Sequence, residues 1–136
     1  MAKTPARLFP PPRPIARLLR ACVVSLAAFA GGYAVAGEAD IVGVEAVETA
    51  PGIWRFDVTV RHADTGWDHY ADRFDIVAPD GTVLGERILA HPHVDEQPFT
   101  RSLSGVAVPD GITSVTVRAH DNVHGLGGAE LKADLK

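Results

Sequence analysis

Trp54, Phe56, Val58 and Val60 alternate with Arg55, Asp57, Thr59 and Arg61. A period of two puts one apolar face and one wet face on an extended chain, which describes a strand lying half-buried in a sheet. A helix would need its apolar residues three and four apart. The alternation returns along the chain. Val115, Val117 and Ala119 alternate with Ser114, Thr116 and Arg118; Leu131, Ala133 and Leu135 with Glu130, Lys132, Asp134 and Lys136; Phe74 and Ile76 with Arg73 and Asp75. Apolar segments over 41–47, 83–89 and 99–108 bring the expected strands to seven. No stretch sustains a helical period, so the fold class expected is all-β.

The connections between these strands are of two kinds. Ala50-Pro51-Gly52, Pro79-Asp80-Gly81 and Pro109-Asp110-Gly111 are minimal turns, built from residues that supply a fixed or a positive φ. The other three connections carry all six histidines: His62 and His69, His91 and His93, His120 and His124. In strands that run up and down, alternate connections fall at the same end. One end of the molecule is therefore expected to do the turning, and the other to carry imidazoles, carboxylates, Trp67 and Tyr70.

Residues 1–36 are read apart from the domain. Lys3, Arg7, Arg13, Arg17 and Arg20 form a basic stretch without an acid, an apolar run follows to Tyr33, and Ala34-Val35-Ala36 has the small-x-small pattern that a signal peptidase accepts. The apolar run is short for a bilayer span of about 20 residues, so a cleaved signal peptide is expected over a membrane anchor. That divides the chain into a signal peptide, 1–36, and one domain, 37–136. The leader holds five of the thirteen Lys and Arg and none of the seventeen Asp and Glu, which leaves the domain at a formal charge of −9. A field of that sign opposes nucleic acid and anionic membrane surfaces and attracts cations. The one cysteine, Cys22, lies in the leader, so the domain has no disulfide and must be held by its core. The expected location is exported, either periplasmic or secreted, with no membrane contact after cleavage.

Seven short strands with turn signals at this spacing predict an antiparallel sandwich of two sheets. The order resembles the immunoglobulin-like or fibronectin type III-like class, and Val117-Arg118-Ala119-His120-Asp121-Asn122 followed by glycines looks like the sixth strand and last loop of many bacterial sandwich modules. The chain departs from the antibody pattern. It has no cysteine pair, Trp54 stands on the second strand, and Tyr70 opens the third. The resemblance implies that the third and sixth strands are neighbours, as are the second and fifth. His69 would then lie near His120, and His93 near His62.

Imidazoles converging from strand ends suit zinc or copper, and His91-x-His93 in extended chain is a chelating pair. The candidate metal ligands are His62, His69, His91, His93 and His120. Asp68, Asp121 and Glu96 are placed to orient the rings, with Trp67 and Tyr70 beside them. His62 shares the parity of Phe56, Val58 and Val60, so it can equally cap the core as a hydrogen-bonded residue. His120 has the outward parity of Thr116 and Arg118, and His124, in a glycine-rich loop, is the least expected ligand. Soft Cu(I) chemistry is excluded, because Met1 is the sole methionine.

The alternative is a module that binds a protein, a peptide or a carbohydrate with the same loops. Trp67 and Tyr70 would be its platform, unless Trp67 folds over the core as a lid. The chain has no Gly-x-Ser-x-Gly elbow, no His-Glu-x-x-His, no phosphate-cradling loop and no dinucleotide fingerprint. From these absences the sequence reads as a binding protein and not an enzyme.

Overall fold

The computed structural model describes residues 37–136; the expected signal helix over 1–36 lies outside the described residues. Eight strands follow one another: β1 Asp40–Ala50, β2 Ile53–Arg61, β3 Ala71–Val77, β4 Val83–Ile88, β5 Phe99–Ala107, β6 Ser114–Asp121, β7 Gly125–Leu126 and β8 Leu131–Asp134. One sheet has the order β1-β2-β5; the other has the order β4-β3-β6-β7, with β8 also on β6. All pairings between these strands are antiparallel. The all-β sandwich is thus as expected, with one strand more than the seven counted from the sequence. The addition is the two-residue β7, where the glycine-rich loop folds back on His120 and Asp121.

The parity read from the sequence is the parity of burial. Trp54, Phe56, Val58 and Val60 of β2 and Phe99 of β5, from one sheet, share one buried core with Phe74 and Ile76 of β3 and Val115, Val117 and Ala119 of β6, from the other. Burying each of the larger side chains contributes about 1.5–3 kcal/mol. The three expected turns are formed, each with its glycine at positive φ: Gly52 at 72°, Gly81 at 90° and Gly111 at 86°. A chain with a Cβ at these places would meet a conformation that L-residues rarely adopt.

Two features of this frame set up the histidine end. First, the inward alternation of β2 and β6 runs on past their apolar residues. His62 and Asp121 are buried, continuing the rows of Val60 and Ala119. Second, β3 enters its sheet through a bulge. Ala71 pairs with Asp121 and Arg73 with His120, leaving Asp72 as the extra residue. An inserted residue exchanges the two faces of a strand. Ala71 is therefore buried despite its odd number among even-numbered core neighbours.

Candidate metal centre

His62, His69 and Asp121 come together at this end, each offering one ligand atom within 4.8 Å of the others. They arrive from three segments. His62 follows β2 in the first sheet. Asp121 ends β6 in the second. His69 closes a tight turn, in which its N–H donates to Gly66 O at 3.2 Å and its own carbonyl accepts from Thr65 N at 3.0 Å. The His62 and His69 rings meet edge to face with centroids 4.7 Å apart.

The two oxygens of Asp121 are used unequally. Oδ1 accepts from the backbone N–H groups of Val123 at 2.9 Å and His124 at 2.7 Å, and it contacts His69 Nε2 at 3.1 Å and His124 Nδ1 at 3.2 Å. Oδ2 is buried and has no hydrogen-bond partner among the described residues. Burial acts most strongly on this carboxyl, opposing its charge. The N–H groups of His124 and Val123, followed by the charges of His124 and His62, outweigh burial and hold its pKa below the usual value of 3.8. The site thus contains an ionised, water-excluded carboxylate with one oxygen unclaimed.

His62 is held at both ring nitrogens. Nδ1 faces Asp64 Oδ1 at 2.5 Å, and Nε2 donates to the carbonyl of Gly37 at 2.9 Å. Asp64 is buried and also accepts Ala71 N through Oδ1 at 3.0 Å and His93 N through Oδ2 at 2.7 Å. It binds three segments to one another, and the sequence reading gave it no role in orienting the rings.

The remaining expected residues are distributed as follows. The His91 and His93 rings meet tilted at 37° with centroids 4.6 Å apart, and the His93 ring lies flat on Phe99 at 3.9 Å. His93 is buried, and neither of its nitrogens has a partner among the described residues. Burial above all, then the charges of Arg101 and His91, lowers its pKa from 6.5 and favours the neutral ring. His93 reaches His62 through Asp64 and through Gln97, which accepts from His62 N and donates to His93 O. The expected nearness of His93 and His62 is therefore realised through bridging side chains. His120 does not join His69: it turns outward, as its parity required, and bonds Asp72 at 2.6 Å. It is Asp121, one residue on, that meets His69. Glu96 is engaged by Arg101 at 3.1 and 3.0 Å, which lowers its pKa, and Asp68 makes no side-chain hydrogen bond among the described residues.

Two more residues of this end are placed by the geometry. His124, the least expected ligand, lies beside Asp121 with its ring 4.9 Å from that of His69, because the turn after β6 wraps around the Asp121 carboxylate. Trp67 is no lid: it is 66% exposed and packs edge to face on Tyr70 at 5.6 Å. The turn over 66–69 points its tip away from the core, and Asn122 clamps it there through Tyr70 N and Trp67 O. Asp121 was legible as an inward residue from the parity of Val115, Val117 and Ala119; the wrapping of His124 had no comparable signal.

No family model matches the chain. A protein of Halomicrobium mukohataei named "Putative lipoprotein" is 41% identical over 99 residues, covering 73% of this chain and 48% of that protein. The chain thus spans about half the length of this relative. Among solved structures, a superoxide reductase (neelaredoxin) from Archaeoglobus fulgidus in the reduced form matches 71% of this chain and 87% of its own, with a TM-score of 0.46 and 17% identity. That likeness assigns no activity to this chain. The expectation that the chain is not an enzyme is corrected here, since this similar structure is itself an enzyme.

Proposed function

We propose that this is an exported domain that binds one transition-metal ion, zinc or copper, through His62, His69 and Asp121, with His124 at its side. The observation that carries the reading is the buried Oδ2 of Asp121, an ionised oxygen without a donor beside imidazole rings. Leaving a buried charged oxygen unsatisfied is costly, and a cation removes that cost. Two imidazoles and a carboxylate are a donor set that zinc accepts, and a fourth position stays for another residue or a solvent molecule. Asp64 would orient the His62 ring, as carboxylates commonly do behind metal-bound histidines. The name of the H. mukohataei relative supports export. Whether the leader is cut, freeing the domain into a periplasm or medium, or kept as an anchor is read from the intact mass of the exported protein.

Titration of metal-free protein with Zn²⁺ and Cu²⁺ tests the proposal. One-site binding that weakens as pH falls through the histidine range is expected, because neutral imidazole is the liganding form. Asp121→Asn and His69→Ala should abolish it, and His120→Ala should leave it unchanged. Multi-site binding that survives Asp121→Asn would mean a −9 surface collecting cations and no centre.

One observation favours a second reading, a protein, peptide or carbohydrate partner on the same end. Trp67 is exposed on a turn fastened by hydrogen bonds to Asn122, and its ring packs edge to face on Tyr70. Loss of binding in Trp67→Ala, with metal affinity intact, would identify such a partner face in a ligand screen.

A further inference from the structure

The nitrogen by which His62 would hold an ion is covered by residue 37. Nδ1 is committed to Asp64 at 2.5 Å, which leaves Nε2, and Nε2 lies 2.9 Å from the carbonyl oxygen of Gly37. This is a fixed position for residue 37. The chain just after it is fastened to the loop between β7 and β8: Ile41 N donates to Ala129 O, and Ala129 N donates to Asp40 Oδ1, each at 2.8 Å. Gly128 passes so close to Ala39 O that a Cβ there has no room. The segment from Glu38 to Asp40 is therefore held down, and the Gly37 carbonyl is delivered to the buried imidazole.

We infer that Gly37 is itself part of the metal site and that removal of the leader completes it. The inference rests on the metal-centre reading and on cleavage between Ala36 and Gly37. While residue 36 precedes it, the nitrogen of Gly37 is an amide, whose lone pair is delocalised and does not ligate an ion at neutral pH. Cleavage turns that nitrogen into an α-amine two bonds from the carbonyl carbon. Amine and carbonyl oxygen together form a five-membered chelate, and it stands next to His62 Nε2. An ion would take the place of the proton now shared by Nε2 and the carbonyl. That proton and any proton on the amine pass to solvent, and no bond within the chain is broken. Joined to His69 and Asp121, this gives four residues around the ion. Uncut chains would then bind metal weakly, and full affinity would be reached only after export.

The test compares the exported protein beginning at Gly37, its start fixed by intact mass, with a chain that retains Val35-Ala36 ahead of Gly37. Every core residue among those described lies at Ala39 or beyond, so both chains carry the whole core. Titrated with Cu²⁺, the chain beginning at Gly37 should bind about tenfold or more tightly than the extended one. With ¹⁵N-glycine labelling, only its Cu²⁺ electron paramagnetic resonance should show altered nitrogen hyperfine structure. Equal affinities, unchanged hyperfine structure, or an exported chain that is uncut or cut elsewhere would each overturn the inference. If neither chain binds at one site, or if binding survives Asp121→Asn, the metal-centre reading itself has failed, and this inference falls with it.

Discussion

Asp64 governs the geometry of the histidine end although it offers no ligand atom to the His62, His69 and Asp121 group. Its two oxygens accept from Ala71 N and His93 N and face His62 Nδ1, so three separate segments meet on one buried carboxylate. Three donors fit two anionic oxygens. An amide does not fit, because its NH2 would confront an N–H. Asp64→Asn should therefore cost about 1–3 kcal/mol for the lost acceptor, and metal affinity should fall about 10- to 100-fold as His62 loses its orientation. Denaturant unfolding and Zn²⁺ titration measure the two effects. Asp68→Asn, on the exposed turn beside Trp67, should leave both unchanged. The sequence places Asp64 and Asp68 in the same loop with nothing to separate them. Only Asp64 follows a strand closely enough to be drawn under the sheets.

At the scale of elements, β2 and β6 were legible because each alternates without interruption, and a half-buried strand has no other way to satisfy both solvents. The same alternation carried His62 and Asp121 inward and His120 outward. Val58→Asp, on the buried row of β2, should place an unpaired carboxylate in the core and remove several kcal/mol, on the order of the stability of a small domain. Arg61→Ala, exposed with only a long 3.4 Å contact to Asp40, should cost within about 0.5 kcal/mol. Equal shifts in Tm for the two would contradict the assigned faces. β3 shows the limit of the pattern. Its bulge at Asp72 leaves no mark in the sequence, yet it turns Ala71 inward. Buried Asp75 on the same strand lies 3.0 Å from Arg73 and 3.1 Å from Arg118, a pairing that needs the β3–β6 register to exist.

For the molecule as a whole, two buried groups with shifted ionisation, His93 and Asp121, contribute to its response to acid. His93 has a folded pKa below 6.5, so the unfolded chain binds more protons between the two values. Its contribution is fully favourable above about pH 6.5 and is lost as pH falls from there toward the folded value. Asp121 has the opposite chemistry and a lower window. Its depressed pKa adds stability above the usual carboxylate value, and that stability is lost as pH drops through the folded pKa. His93→Phe, which keeps a flat ring on Phe99, should therefore gain on the wild type as pH is lowered from 7.5 to 5.5, measured by urea unfolding. A difference between the two that does not change with pH would remove His93 from the acid response. The alternation by itself determined that this chain makes sheets. The order of turns and histidines determined that the imidazoles share one end, because antiparallel strands return alternate connections to the same side. Which of them meet was decided only in three dimensions. The ends of β2 and β6 and the tight turn before β3 bring His62, Asp121 and His69 together, with His124 wrapped beside them, and convergence of segments so far apart in the chain has no local pattern to announce it.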